Sequence, residues 1–285
     1  MKQVYTIGDC IGDVTSNVRR GHFRKGRGII MIIDMHTHVW GGQYEAHTRD
    51  LLKACELYGI SKMYVSGIAA QYPDEQQIGQ HNLDVYRFMK EYPELVEGYC
   101  YATPRNGNSL DVLKQGIEEY GMSGMKLWIA TYCDDPLVYP LVEQCIEYNV
   151  PILLHSFHKA VNQLPDETVG THVANLSRRY PEAKLIMAHL GGNCYHGIKA
   201  IRSCSNVWVD ISGSLFRRDE IDYTVKQIGA DRILFGSDMP GCTYVLNFGQ
   251  IEEADLTPAE KELIYYINTL KLFDRGFRPA LGGNK

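Results

Sequence analysis

Short apolar runs alternate with longer amphipathic segments along most of the chain. Several of these runs are apolar at nearly every position, which is typical of strands buried on both faces of a parallel sheet. The pattern therefore predicts an α/β fold built on a parallel sheet. The predicted strands are residues 28–35, 61–68, 95–102, 124–129, 150–154, 184–188, 206–211 and 232–235.

A helix is predicted after each of these strands, because the connecting segments carry apolar residues at helical spacing. Eight strand–helix units are the number found in a (β/α)8 barrel, although an open doubly wound sheet shows the same alternation. The chain lacks a G-x-G-x-x-G turn after the first strand and lacks a P-loop, which favours the barrel. The predicted helices are residues 46–58, 82–92, 109–120, 137–148, 173–180, 195–204, 219–228 and 257–272.

Residues 1–28 do not share this alternation. We expect them to form a loose N-terminal extension, followed by a single barrel domain over residues 29–285. Two alternatives stay open. The first residues could form a short ribbon packed on the barrel floor, or the start of the protein could be assigned upstream of its natural place at Met31.

The composition limits the partners and the compartment. The net charge of −5 and the pI of about 6.1 give no electrostatic attraction to nucleic acid or to anionic membranes. No apolar run is long enough to span a membrane, the N-terminus lacks the apolar core of a signal peptide, and the eight cysteines occur singly. We therefore expect a cytoplasmic protein with reduced thiols that binds neither nucleic acid nor membranes.

Ionisable residues stand at the carboxyl ends of four predicted strands. His36 and His38 follow the first strand, His155 the fifth, His189 the sixth and Asp238 the eighth. The carboxyl ends of the strands of a (β/α)8 barrel meet at one mouth, so these side chains are expected to converge there. Each residue alone has a structural explanation, since a lone histidine can be a hydrogen-bonded core residue and Asp238 can cap a helix. Together they predict a metal site, because imidazole nitrogens and carboxylate oxygens are ligands of zinc and related ions.

Six strand-end motifs occur in the order and spacing of a known superfamily. They are IIDMHTH, GMSGMKLW, VPILLHS, KLIMAHLGG, NVWVDISG and ILFGSDMP. Over residues 30–275 the chain resembles the amidohydrolase superfamily, in particular the branch of aminocarboxymuconate-semialdehyde decarboxylase-like proteins and related metal-dependent hydrolases. The resemblance implies a distorted (β/α)8 TIM barrel of the metal-dependent hydrolase type.

The resemblance also implies roles for the site residues. One divalent metal, usually Zn²⁺, would be bound by His36, His38, His155 and Asp238. His189 would act as a catalytic acid or base, and Asp238 would also accept a proton from the metal-bound water. A homodimer is the assembly that the resemblance suggests.

Lys126 lies within the fourth predicted strand and leaves the number of metals open. In superfamily members with two metals, a lysine at this position is carboxylated and bridges the ions. In the branch that this chain resembles, the lysine is common without that modification, which favours one metal. Two alternatives stay open: a second metal bound by His155 and His189, and a buried Lys126 cation paired with Asp238 or with a substrate acid.

Three further residues are candidates for substrate binding. Arg105 follows the third strand and could hold a carboxylate through two parallel hydrogen bonds. Trp128 could form part of an aromatic wall after the fourth strand, and His158 lies in the loop after His155. The alternatives are a solvated arginine, a tryptophan packed under the site and a loop histidine with no role in binding.

Two enzyme hypotheses follow from a metal at the barrel mouth. In the main hypothesis, a metal-activated water attacks an ester, lactone or amide of a small, carboxylated substrate, as in a hydrolase. In the alternative, the same metal serves a non-oxidative decarboxylase or hydratase of a small aromatic or unsaturated carboxylic acid. The fold and the ligand set serve both reactions. A non-catalytic barrel would require a broken ligand set, and the sequence retains every member.

Overall fold

The computed structural model describes residues 23–24, 29–213, 216–276 and 279. Within them, eight parallel strands form one sheet whose order follows the chain, with helices in the connections. This arrangement confirms the predicted distorted (β/α)8 barrel. The strands are β1 (Ile33–Trp40), β2 (Lys62–Ile68), β3 (Val96–Tyr101), β4 (Gly124–Leu127), β5 (Ile152–Leu154), β6 (Leu185–Met187), β7 (Val207–Asp210) and β8 (Ile233–Leu234).

All eight predicted helices are present, with shifted ends, the last of them (residues 257–272) as two helices, and the helix α8 (Tyr244–Glu253) was not predicted. Its buried face combines the apolar Tyr244 and Ile251 with the polar Asn247 and Gln250, and Val245 and Leu246 are exposed, so its amphipathic pattern is weak. The helices are α1 (Tyr44–Tyr58), α2 (Glu75–Glu91), α3 (Ser109–Lys114), α4 (Tyr139–Tyr148), α5 (Gly170–Arg179), α6 (Cys194–Ile201), α7 (Glu220–Ile228), α8 (Tyr244–Glu253), α9 (Pro258–Glu262) and α10 (Asn268–Phe273). Single π-helical turns, Gln115–Glu119 and Leu263–Ile267, continue α3 and α9.

The barrel closes between β1 and the segment that follows β8. Asp238 N donates a hydrogen bond to His36 O at 2.8 Å, and His38 N donates one to Met239 O at 2.8 Å. These bonds take the place of a regular ladder between the two strands. They bring Asp238 directly beside the two histidines of β1.

A β-bulge in β1 decides where its histidines point. The register of β1 on β2 shifts between Asp34 and Thr37, so β1 has one residue more than its partner over this stretch. Met35 packs into the barrel floor below the bulge, whereas His36 and His38 reach the mouth above it. The sequence pattern placed both histidines after the strand, and the structure places them inside it.

Asp34 holds this bulge through three hydrogen bonds. Its Oδ1 accepts from His36 N at 3.0 Å and from Ser237 N at 3.1 Å, and its Oδ2 accepts from Ser237 Oγ at 2.5 Å. Complete burial raises the pKa of Asp34 to about 7, although these hydrogen bonds act in the opposite direction. The carboxyl group therefore links the bulge in β1 to the end of β8.

Apolar packing fills the lower half of the barrel. One large cluster joins the outer faces of the strands to the surrounding helices, and a second cluster occupies the barrel interior. The floor is therefore a packed core rather than a pore, and the opposite mouth is the place left for a site. The interior cluster comprises Ile33, Met35, Tyr64, Tyr99, Leu153, Ile186, Ala188, Trp208, Leu234 and Leu272.

Only part of the expected N-terminal extension is described. Phe23–Arg24 pairs antiparallel with Ile29–Ile30 in a separate two-stranded sheet, and the rest of residues 1–28 lies outside the described residues. The cysteines of the described residues are free thiols, as expected. In the same part of the chain, no helix has the length and apolar character needed to cross a membrane.

Candidate metal centre

The barrel mouth has an ionisable side and an aromatic side. Along a strand without a bulge, inward-facing residues recur at every second position, so the residue two places beyond a floor residue lines the mouth. Leu153 of the floor is thus followed by His155, and Trp208 by Asp210. The mouth positions on β1 and β5–β8 include His36, His38, His155, His189, Asp210, Ser212 and Asp238, and those on β3 and β4 include Tyr101, Lys126 and Trp128.

Three candidate metal ligands converge in this mouth. The Nε2 atoms of His36 and His38 lie 3.0 Å apart. Asp238 Oδ1 lies 3.0 Å from His38 Nε2 and 3.7 Å from His36 Nε2. In a tetrahedral zinc site, bonds of about 2.0–2.2 Å place neighbouring ligand atoms about 3.3–3.6 Å apart. The three separations lie on either side of this range and within about 0.3 Å of it, so small side-chain movements would let the three atoms bind one ion of this type.

Burial keeps these ligands in the forms that bind a metal. Burial, and then the neighbouring Lys126 amine, lowers the pKa of His36 well below its usual value. Burial also lowers the pKa of His38, although its hydrogen bond to Asp238 acts in the opposite direction. Burial alone would raise the pKa of Asp238, but the bond to His38 and the nearby imidazoles hold it well below its usual range. Neutral imidazoles and an ionised carboxylate are the metal-binding forms.

The protein holds the second ring nitrogen of each of these histidines. His36 Nδ1 lies 2.9 Å from Asp210 Oδ2 and 2.9 Å from Ser212 Oγ. His38 Nδ1 lies 2.8 Å from Ser66 Oγ and 3.4 Å from Ser66 O. An Nδ1–H proton on either ring therefore has an acceptor. Such contacts orient a histidine and leave Nε2 as the ligand atom.

His189 lies beside this group but has different contacts. Its backbone is left-handed, with φ of 61°, and its N donates to Asp210 Oδ1 at 3.0 Å. Its Nδ1 lies 3.0 Å from Ser212 Oγ, and its ring centre lies 5.0 Å from that of His36. Burial lowers the pKa of His189 to about 4, so the ring is neutral at pH 7. His189 is thus a fixed, neutral imidazole inside the mouth.

A second group of three possible ligands consists of His36, His189 and Asp210. The Ser212 hydroxyl lies between the two imidazoles, 2.9 Å from His36 Nδ1 and 3.0 Å from His189 Nδ1. Its Oγ also contacts Asp210 Oδ1 at 2.5 Å. Ser212 therefore contacts both Nδ1 atoms and Asp210 within this second group. We interpret the second group as a support for the ligand group of His36, His38 and Asp238.

His155 stands apart from the three converging ligands. Its ring centre lies 5.1 Å from that of His189, and its Nε2 lies 3.0 Å from Glu167 Oε1. Burial lowers the pKa of His155, and the bond to Glu167 acts in the opposite direction. The group of converging ligand atoms contains His36, His38 and Asp238 but not His155.

Lys126 is fully buried under the ligands. Its Nζ lies 3.1 Å from His36 Nε2. Burial lowers the pKa of Lys126 to about 8, although the charges of Asp238 and Asp210 act in the opposite direction. The Lys126 amine is therefore part of the site, near the carboxyl end of β4.

The three candidate substrate residues occupy different surroundings. Arg105 donates from Nε to Ala130 O at 2.5 Å and from Nη2 to Asp166 Oδ2 at 2.9 Å. Trp128 packs edge-on against Trp40, with ring centres 5.8 Å apart, and Trp40 in turn lies 6.3 Å from the ring of His38. The two tryptophan rings therefore extend to the candidate ligand His38. The ring of His158 stacks on that of His196, 4.5 Å away.

The sequence analysis missed five residues that support the site. Asp210 is the last residue of β7 and the next-to-last residue of the predicted strand 206–211, so strand-end reasoning came within one residue of it. Ser66 and Asp34 lie inside apolar runs, and Glu167 lies in a loop, so no sequence signal marked them. Ser212, two residues beyond Asp210, was equally unmarked.

Comparison with protein-family models matches residues 33–275 to the family described as Amidohydrolase. Comparison with curated proteins gives no match.

Several solved structures share the fold at low sequence identity. The 2,6-dihydroxybenzoate decarboxylase from Rhizobium is 17% identical, with a TM-score of 0.68 over 87% of this chain and 100% of that one. A manganese-containing 5-carboxyvanillate decarboxylase from Novosphingobium aromaticivorans is 15% identical, with a TM-score of 0.70 over 90% of this chain and 99% of that one. The 4-oxalomesaconate hydratase from Rhodopseudomonas palustris is 20% identical, with a TM-score of 0.64 over 86% of this chain and 96% of that one.

Proposed function

The chain belongs to the amidohydrolase family, and from this premise we propose that it is a metal-dependent decarboxylase of a small aromatic or unsaturated carboxylic acid. The observation that carries the metal dependence is the convergence of the His36, His38 and Asp238 ligand atoms in the barrel mouth. Similarity to two decarboxylases and a hydratase favours this reaction over ester, lactone or amide hydrolysis, which was the main hypothesis from the sequence.

His36, His38 and Asp238 would hold the metal, with His155 as the fourth protein ligand. When bound, the ion would polarise the substrate and so stabilise the negative charge that develops as the carboxyl group leaves. Zn²⁺ is the ion that the resemblance implies. Mn²⁺ is a second candidate, because a similar structure contains it.

The reaction breaks the bond between a substrate carbon and its carboxylate. The electron pair stays on that carbon, carbon dioxide leaves, and a proton takes its place, so no oxidant or reductant is needed. His189 and Asp238 are the catalytic residues that we assign to the transfer of this proton, which they would take up from solvent and pass to the carbon. Ser212 engages His189 at Nδ1 and thereby leaves Nε2 to face the substrate.

The aromatic side of the mouth supports a planar substrate. Trp40 and Trp128 form an edge-on pair that extends from His38, and flat apolar surfaces of this kind suit an aromatic or unsaturated acid. Arg105 would bind a substrate carboxylate at the rim, where it now pairs with Asp166. We assign no substrate contact to His158, since its ring stacks on His196.

One metal accounts for the contacts better than two. Among the described residues, no group of converging ligand atoms contains both His155 and His189, whereas His36, His38 and Asp238 form one group. Lys126 Nζ lies 3.1 Å from His36 Nε2, so its contact is with one member of this single ligand group. We therefore propose an unmodified Lys126 amine that contacts the ligand group and the substrate.

The test is carbon dioxide release from a panel of small hydroxybenzoates and unsaturated di- and tricarboxylic acids. The protein is first stripped of metal and then reloaded with Zn²⁺ or Mn²⁺, with His36→Ala as the control. Release that depends on metal and on His36 supports the proposal. If the loaded protein hydrolyses esters or lactones, or adds water to a double bond, without releasing carbon dioxide, the decarboxylase assignment is wrong.

A further inference from the structure

Glu167 is a buried carboxylate that the proposed reaction does not use. It is 2% exposed, although it lies in the loop between β5 and α5. Its Oε1 lies 3.0 Å from His155 Nε2 and accepts from Lys159 Nζ at 2.8 Å. Its Oε2 accepts from Lys159 Nζ at 2.7 Å and from Gln163 Nε2 at 2.6 Å. A carboxylate this deeply buried, with hydrogen bonds to both oxygens, indicates a specific structural or functional role.

The contacts of Glu167 determine the tautomer of His155. A carboxylate that pairs with the Lys159 ammonium at both oxygens is ionised and can only accept hydrogen bonds. The proton of the bond to His155 must therefore reside on His155 Nε2. In a neutral imidazole, the lone pair is then left on Nδ1. His155 can thus bind a metal only through Nδ1 as long as this bond persists.

This arrangement is the reverse of that at the two histidines of β1. His36 and His38 contact the protein at Nδ1 and present Nε2 to each other and to Asp238. His155 contacts the protein at Nε2. The structure therefore distinguishes two kinds of histidine by the ring nitrogen that the supporting serine or carboxylate contacts.

The loop that carries Glu167 is tied to its surroundings at several points. Phe157 N donates to Thr168 O at 2.9 Å, which closes the loop at its base. Thr168 Oγ1 accepts from Cys133 N at 2.9 Å, and His158 N donates to Gly191 O at 2.8 Å. These bonds attach the loop to the segments that follow β4 and β6. Glu167 is therefore held on a fixed frame rather than on a freely moving loop.

We propose that Glu167 is a positioning residue that fixes His155 as an Nδ1 metal ligand. The inference rests on the proposed metal centre, but it does not depend on which reaction the metal serves. Carboxylates in this position orient a ligand histidine and increase its basicity, and their loss weakens metal binding by about 10- to 100-fold. Glu167 touches neither the substrate nor the metal and acts only through His155.

The test combines metal affinity with the tautomer of each histidine. Titration of the metal-free protein with Zn²⁺ gives Kd for the wild type, Glu167→Gln and Asp166→Asn. Asp166 is the matched control, because it is the adjacent carboxylate of the same loop and pairs with Arg105 instead. Glu167→Gln is expected to bind Zn²⁺ about tenfold more weakly or worse, whereas Asp166→Asn retains the wild-type affinity within about twofold.

Nitrogen-15 NMR of the Zn²⁺-loaded wild type supplies the second measurement and does not rely on a folded variant. We expect a proton on Nε2 of His155 and on Nδ1 of His36 and His38. A proton on Nδ1 of His155, or equal Zn²⁺ affinity in Glu167→Gln and the wild type, would overturn the inference. Failure of the decarboxylase assignment would instead appear as absent carbon dioxide release with both of these results intact.

Discussion

Individual polar residues account for the shape of the mouth. Asp210 and Ser212 hold His36 and His189, Ser66 holds His38, and Glu167 holds His155. The four histidines and Asp238 are the part that strand-end reasoning finds from the sequence. Their partners come from a bulge, from strand interiors and from a loop. Sequence reasoning reached only the first group, because the partners have no spacing rule.

His189→Asn tests the division between metal binding and proton transfer. Asparagine tolerates the left-handed backbone at this position, so the fold should persist. We expect unchanged metal content and a loss of turnover of about 10²- to 10⁴-fold, because the general acid or base is removed. Elemental analysis and single-substrate kinetics measure the two effects. Loss of metal from a wild type that holds two ions per chain would instead favour the two-metal alternative with carboxylated Lys126.

Asp34 gives a pH dependence of stability whose sign can be worked out. Burial raises its pKa from 3.8 to about 7 in the folded protein, so the folded state binds more protons between these values. The stability that Asp34 contributes is therefore fully present below about pH 4 and is lost as the pH rises through 7. Asp34→Asn removes this titration.

Urea unfolding of both metal-free proteins across pH 4–8 measures the difference. The wild type should lose on the order of 1–4 kcal/mol relative to Asp34→Asn over this range. Two curves that run parallel would show that Asp34 is ionised in the folded protein.

Among the secondary-structure elements, continuous apolar runs predicted all the barrel strands, whereas the helical spacing of apolar residues missed one helix. All eight barrel strands were found, because a strand buried on both faces has to be apolar at nearly every position. Helix α8 was missed because it buries Asn247, whose side chain donates to Ile211 O at 3.1 Å. The bulge in β1 was missed because no residue type is required there. Yet it decides which residues of β1 reach the mouth.

Two glycines test how closely β2 packs against α2. A Cβ added at Gly67 would lie 2.5 Å from His81 O, which is backbone and cannot move aside, whereas one added at Gly79 would meet nothing within 4 Å. Gly67→Ala should therefore destabilise the protein by about 1–3 kcal/mol. Gly79 lies in α2, the helix that contains His81, and Gly79→Ala should stabilise the protein by about 0.5–1 kcal/mol. Denaturant unfolding measures both. Equal effects of the two substitutions would mean that the backbone of α2 lies farther from Gly67 than the 2.5 Å separation from His81 O requires.

For the whole molecule, the barrel separates stability from chemistry. The floor is packed with apolar side chains, and the opposite mouth collects ionisable residues from strands that are far apart in sequence. The sequence predicted this division because strand order and alternation place the carboxyl ends together. The sequence could not predict the substrate, because the loops around the mouth meet through side chains that are distant in sequence. Arg105 and Asp166, for example, form an ion pair although they lie 61 residues apart.

The most direct test of the account is the metal content of the purified protein, measured by elemental analysis without chelators or metal-affinity resins. We predict about one zinc or manganese ion per chain in the wild type and little or none in Asp238→Asn, which replaces a charged ligand by a neutral one. Circular dichroism would verify that the variant is folded. About two ions per chain would contradict the single-metal site. No bound metal in the wild type, even after reloading, would contradict the metal centre itself.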